Sequence, residues 1–122
     1  MKSEYSFEKK ENYLLMTISG EYSKKDFMSY PGIILERCEK ENIKKVLVDT
    51  LHVTSTNVAT MDRFYMGENI AKVLGPKIKL AVVWHKEHIN KFAENVAVSK
   101  GGNLFVTHSF EDAEDWLLSD TR

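Results

Sequence analysis

The sequence predicts an α/β protein of element order ββαβαβαβα, a mixed five-stranded sheet with an N-terminal hairpin, parallel C-terminal strands and helices mainly on one face. Three observations predict it. Two short segments that carry apolar residues flank the polar turn Lys9-Lys10-Glu11-Asn12 and read as an antiparallel hairpin. Compact apolar runs follow at Val46-Leu47-Val48, at residues 78–84 and at Leu104-Phe105-Val106. Between and after these runs, apolar residues recur at spacings of three and four, the period of one helix face. Strands that alternate with helices imply parallel pairing through right-handed crossovers.

Each element has its own signals. Tyr5 and Phe7 mark the first strand and residues 13–19 the second, which Gly20 ends. Ser23 is a suitable N-cap for a helix striped by Phe27, Tyr30, Ile34 and Cys38 and closed by Asn42. Pro31 falls inside that stripe, so it either kinks the helix or opens its longer second part. The strand at Val46-Leu47-Val48 ends at Asp49, and Thr54, Ser55, Thr56 and Asn57 form a loop. Thr60 can cap a second helix with Met61, Phe64, Gly67, Ala71 and Leu74 on one face, stopped by Gly75-Pro76. Gly67 on that face suggests a close backbone approach. Ile89, Phe92, Ala93, Val96 and Ala97 stripe a third helix, which Gly101-Gly102 terminates. Ser109 with Asp112 resembles a capping box ahead of a last helix at Phe110, Ala113 and Leu117, with Trp116 beside them. If the helices share one face, the other needs water-tolerant residues, a partner or a ligand.

The 122 residues fit a single domain, 1–122. Hydrophobic content of 43% excludes a disordered chain. Lys and Arg total 17 against 18 Asp and Glu, mixed along the chain, which argues against a basic nucleic-acid face and against a polybasic membrane anchor. Runs such as residues 80–84 are too short for a transmembrane segment, and no apolar leader follows Met1. Cys38 is the one cysteine, so no internal disulfide forms, and a cytoplasmic location is expected.

Several pieces in order resemble the SpoIIAA-like (STAS/Sec14-type) family of small bacterial proteins. They are Asp26-Phe27 with Pro31, Val46-Leu47-Val48-Asp49, Phe64, Lys79-Leu80-Ala81-Val82-Val83, Phe92 with Val96-Ala97, Gly101, and Glu111-Asp112-Ala113-Glu114-Asp115-Trp116-Leu117. The resemblance implies β-α units wound with the helices on one side. It implies little about activity; two better-known branches share the fold, the anti-sigma-factor antagonists, which bind partner proteins and are switched by serine phosphorylation, and the Sec14-like proteins, which bind lipids. The acceptor position of the first branch falls on Val58, which carries no hydroxyl. The second branch has extra helices that this length does not supply.

Outside that pattern, His52, His85 and His108 each follow a predicted parallel strand, where ligands of open α/β sheets bind. Imidazoles there are the weak candidates for a metal, with Asp49 as an orienting acceptor. No H-x-x-x-H pair and no cysteine partner accompany them, so no cofactor and no catalytic residue are assigned. An enzyme reading would pair His85 with Asp49. Cys38 lies on an apolar stripe and reads as a small core residue.

The expected function is a non-catalytic regulatory or protein-interaction module, binding a protein partner or itself as a homodimer. Its surface would use Thr54, Ser55, Asn57, Tyr65, Met66 and Trp84. The second reading is a carrier or sensor of a small ligand, lipid-like or metal, at the strand ends. That ligand would lie near His52, Ser55, His85 and Phe92.

Overall fold

The computed structural model describes residues 2–119. The hairpin is β1 (Ser3–Lys9) and β2 (Leu14–Glu21), followed by α1 (Lys24–Glu41), β3 (Lys45–Thr54) and α2 (Thr60–Leu74). Then come β4 (Lys79–Val83), a 3₁₀ turn at Lys86–His88, α3 (Phe92–Ser99), β5 (Leu104–Thr107) and α4 (Phe110–Leu118). Spatial order equals chain order, with β1 antiparallel to β2 and the remaining pairs parallel.

The pleat divides the sheet into two interiors. Met16, Ile18, Val46, Val48, Leu80, Leu104 and Val106 face the layer that holds α1, α2 and α3. Leu47, Ala81 and Val83 face the other way and pack under Ala113 and Leu117 of α4. The face expected to lie open is therefore covered over its β3–β5 half. Its other half, over β1 and β2, is polar: Glu4 opposes Ser19 and Ser6 opposes Thr17. Lys79, buried on β4, fixes α4 in place. Its Nζ donates to the carbonyls of Trp116 at 2.6 Å and Ser119 at 2.8 Å and lies 4.6 Å from the Trp116 ring centre. A cation at a helix C-terminus meets the negative end of the dipole.

Local chemistry sets the element ends. Ser23 caps α1 by accepting from the Asp26 N–H at 3.3 Å, and Asn42 closes the helix in the left-handed region at φ 57°. α1 runs unbroken through Pro31, which faces the core between the buried Tyr30 and Ile34. Tertiary packing outweighs the missing N–H. Ser109 caps α4 through the Asp112 N–H at 3.1 Å.

Several boundaries differ from expectation, among them that of β2, which runs through Gly20 to Glu21. β3 continues past Asp49 to Thr54, because β2 keeps pairing with it as far as Glu21↔Thr54 after a register shift between Thr17 and Ser19. β4 stops at Val83, one residue before Trp84. Thr60 is the first residue of α2 and not its cap; Ala59 holds that place with no side-chain bond. α3 starts at Phe92, where the Asn90 side chain accepts from the Phe92 N–H at 2.9 Å, and Ile89 packs on the core from outside the helix.

α2 buries Arg63, Gly67, Ala71 and Leu74, while Met61 is exposed and Phe64 is half-buried. The expected stripe holds from Gly67 onward and is rotated by one residue in the first turn. Gly67 is where α2 meets α3, its Cα facing the Ala93 carbonyl and Val96. A methyl at Gly67 would meet Val96 Cβ at 3.0 Å and the Ala93 oxygen closer still. Gly→Ala in a free helix gains about 1 kcal/mol. Here the backbone clash wins, and Gly67→Ala should lower stability by roughly 1–3 kcal/mol in urea unfolding.

The start of β1 is tied to α1 by a buried carboxylate. Asp26 Oδ2 accepts from the Ser3 N–H at 3.0 Å and from Ser3 Oγ at 2.9 Å, and Ser3 Oγ also bonds the Tyr30 hydroxyl. The Ser3 backbone N–H holds the Asp26 carboxyl below its ordinary range, against the opposing effect of burial. A depressed folded pKa contributes stability above the unfolded value, lost as pH falls through the folded one. Asp26→Asn should therefore melt several degrees below the parent at pH 7, with the gap closing as pH drops below about 4. A gap that is the same at both pH values would remove the carboxylate's role.

Candidate functional site

The carboxyl ends of the parallel strands carry two loops, residues 55–59 and 84–91, stitched together by buried polar groups. Ser55 takes a left-handed conformation at φ 61°, which turns the chain so that Thr56 points inward. Thr56 Oγ1 bonds His88 Nδ1 at 2.9 Å, and its carbonyl accepts from Trp84 Nε1 at 3.3 Å. Thr50 donates from Oγ1 to the Val83 carbonyl at 2.6 Å. The Thr50 carbonyl accepts from His85 Nε2 at 3.0 Å, which fixes the proton of that imidazole on Nε2.

Arg63 joins the two loops. Its Nε donates to the Val58 carbonyl at 2.9 Å and its Nη2 to the His88 carbonyl at 2.7 Å. The side chain is 7% exposed, and among the described residues no carboxylate forms an ion pair with it. Burial pushes the guanidinium downward from its ordinary value. A charge in this setting is costly unless its hydrogen bonds are met, and here neutral carbonyls do that work.

Beneath Arg63 lies an apolar cavity of about 100 Å³ between the sheet and α1, α2 and α3. Met16, Phe27, Ile34, Leu80 and Val106 line it, with Thr50, Arg63, Trp84 and Asn90 also on its wall, and its surface is almost wholly apolar. Outside, the start of α2 and the start of α3 present large apolar groups to solvent. Met61 is 55%, Tyr65 37% and Phe92 38% exposed. Phe64 bridges them, its ring centre 5.6 Å from Tyr65 and 6.5 Å from Phe92. Lys24 Nζ lies 4.8 Å from the Tyr65 ring centre, and Tyr22 donates to Asp62 at 3.1 Å, so the first residue of α1 and the chain just ahead of it brace this patch. Burial and the bond to Asp62 raise the Tyr22 hydroxyl well above its ordinary value.

The residues singled out from the sequence separate into groups. Thr54 at the end of β3 and Ser55 and Asn57 in the loop before α2 are exposed, and so is Tyr65. Met66 is turned inward and lines the cavity. Trp84 was expected at the surface and is 6% exposed, its ring edge-on to Phe27 at 6.2 Å. It continues the inward parity of Leu80 and Val82, which a pleat alone does not orient. His52 lies within β3 and is exposed, His85 is held by Thr50, and His108 is exposed after β5. Among the described residues no three His, Cys, Asp or Glu side chains gather as a metal site. Asp49 Oδ1 accepts from the Leu51 N–H at 2.9 Å, a turn-like bond within its own strand. Cys38 is buried, and burial pushes its thiol up to about 11. Val58 is buried as well.

Arg63 was missed, and Thr56, read as a loop hydroxyl, is buried. Arg63 carried a signal, since with Gly67 and Ala71 it forms a run spaced by four, the repeat of a buried helix face.

The sequence matches no family model and no curated protein. Among solved structures the chain is similar to an anti-sigma factor antagonist from Mycobacterium paratuberculosis, with a TM-score of 0.63 and 12% identity over 96% of this chain and 95% of that one. It is also similar to an uncharacterized protein of the DUF3478 family with a SpoIIAA-like fold from Shewanella loihica, with a TM-score of 0.54 and 20% identity over 94% and 93% of the two chains. The fold is SpoIIAA-like, as the sequence resemblance implied. No helix among the described residues is long and apolar enough to cross a membrane.

The placement of Trp84 is directly measurable. In a Trp116→Phe protein, Trp84 is the remaining indole. Its emission should be blue-shifted and resist acrylamide quenching; red-shifted, readily quenched emission would put it at the surface.

Proposed function

We propose that this chain is a non-catalytic, cytoplasmic regulatory module that binds a protein partner or a second copy of itself through the start of α2 and the loop before it. The observation that carries this reading is the apolar patch of Met61, Phe64, Tyr65 and Phe92. Apolar side chains gathered at the surface mark contact sites, and aromatic residues dominate binding energy at such contacts. Met61 and Tyr65 are four residues apart on one helix and so share a face. The exposed Thr54, Ser55 and Asn57 supply polar groups beside it, as the rim of an interface needs. The similarity to an anti-sigma factor antagonist supports a role in binding another protein. Balanced charge supports recognition by shape and apolar contact over long-range steering.

A second reading, a carrier or sensor of a small ligand, rests on the cavity beneath α2. The two readings use opposite sides of the same helix.

Tyr65→Asp tests the first. The substitution is at an exposed position and should leave the melting temperature nearly unchanged. Sedimentation velocity should show self-association of the parent weakened at least tenfold in the variant. If the parent is monomeric, cross-linking in the native cell should trap a partner with the parent and not with the variant. Association indifferent to Tyr65→Asp would remove α2 from the contact surface.

A further inference from the structure

We infer that a second copy of this chain pairs antiparallel with the free edge of β1, centred on Phe7, so that two five-stranded sheets join across a two-fold axis. The contact uses none of the residues of the α2 surface and goes beyond the reading built on it.

The two edges of the sheet are finished differently. At β5, Asn103 and Thr107 bond to β4, so Val106 turns its main-chain groups away from the sheet. α3 and the residue ahead of it close them. The Val106 N–H donates to Glu94 Oε1 at 2.7 Å, and the Val106 carbonyl accepts from Lys91 Nζ. At β1, Lys2 and Lys10 bond to Glu21 and Tyr13 across the hairpin. The even-numbered residues therefore face β2, and Ser3, Tyr5, Phe7 and Lys9 turn their N–H and C=O groups outward. Asp26 takes the Ser3 N–H. Among the described residues no such bond covers Tyr5, Phe7 or Lys9, and Tyr5 is 39% exposed. An uncovered edge of this kind is a template for another strand.

Self-complementarity selects a second copy and sets the register. Outward groups must meet outward groups. Centring the pair on Tyr5 sets Phe7 against Ser3, whose N–H is already taken. Centring it on Ser6 sets Glu4 opposite Glu8 at both ends. Centring it on Phe7 sets Tyr5 against Lys9, Phe7 against its own copy, Ser6 opposite Glu8 and Glu4 opposite Lys10. Like charges directly opposite destabilise a strand pair and unlike charges favour it. The even-numbered residues form the closer, non-hydrogen-bonded pairs of the new ladder, so the match of Glu4 with Lys10 is made where side chains approach most. Lys10 bonds Glu8 of its own strand at 3.0 Å on that face, and the incoming Glu4 joins the pair. On the other face the Lys9 ammonium meets the Tyr5 ring.

Sedimentation velocity of the full chain at low salt, where exposed pairs are least screened, should show a monomer–dimer equilibrium. Glu4→Lys and Lys10→Glu, neither at a buried position, should each weaken it at least tenfold by setting like charges opposite one another. An equimolar mixture of the two variants should restore the parent's affinity, an outcome that a folding defect does not imitate. Ser6→Cys mixed with Glu8→Cys should oxidise to the mixed disulfide in preference to either homodimer. A parent still monomeric at about 1 mM would overturn the inference. So would a dimer indifferent to both charge variants, or weakening by both without rescue in the mixture. A dimer indifferent to both yet broken by Tyr65→Asp would overturn it and leave the α2 surface standing. Weakening and rescue by the charge variants with indifference to Tyr65→Asp would place self-association at β1.

Discussion

Burial of the central strands on both faces is the constraint from which the rest of the structure follows. β3 and β4 present apolar groups in both directions: Val46, Val48 and Leu80 one way, Leu47, Ala81 and Val83 the other. A strand of this composition is stable only between two layers. Three helices supply the first layer, and α4 alone must supply the second. Ala81 against Ala113 lets α4 sit close to the sheet, and Lys79 holds its last carbonyls. With α4 committed there, the helix layer on the opposite side is made by α1, α2 and α3, and the cavity lies in that layer.

Two charges buried in that layer meet the same physical problem with different results. Asp26 is satisfied by donors from β1, so its charge closes the fold at the hairpin. Its bonds are local to the clasp, and nothing else is drawn to it. Arg63 is held by carbonyls of the two loops over the strand ends, so its charge ties those loops together. The difference between the two groups arises from their partners, because both are nearly inaccessible to water.

How much of this could be read in the sequence depends on how far each feature is fixed locally. The hairpin, the alternation of strands and helices, the Ser23 and Ser109 caps and the Asn42 stop are set by local pattern and short-range chemistry and were readable. The length of β3 was not, since it depends on β2 pairing with it as far as Thr54. Nor was the side taken by α4, because an amphipathic helix does not say which face of a sheet it covers. Trp84 shows the same limit in one residue: its type fits an interface as well as a core, and only the parity of β4 decides. At the start of α2, hydrophobic patterning pointed to Met61 and Phe64, yet Arg63 is the buried residue. Patterning gives charged side chains to solvent by default, so it fails where a charge is put to use in the interior. The tyrosine and the loop hydroxyls of the candidate surface were readable as exposed polar or aromatic positions; the cavity was not, being a property of three helices and a sheet together.

The position of α2 accounts for the cavity in turn. Gly67 brings α2 against the Ala93 carbonyl and Val96, and Ala71 meets Gly102 closely enough that an added Cβ there would lie 3.1 Å from the Ala71 Cα. These small residues draw α2 sideways onto α3 and the turn before β5. The gap to the sheet is left to the side chains of Arg63, Met66 and Ile70, of which the first two are long and flexible. An apolar void of about 100 Å³ costs about 2 kcal/mol at roughly 24 cal/mol per Å³. That is a substantial part of the about 5–15 kcal/mol by which a domain is stable. One larger aliphatic residue at Val82 or Ala93 would reduce that cost, since both line the space. A ligand offsets the same cost only when bound, so the void couples the stability of α2 to occupancy. Tyr65 and Met61 stand on the outer side of the same helix.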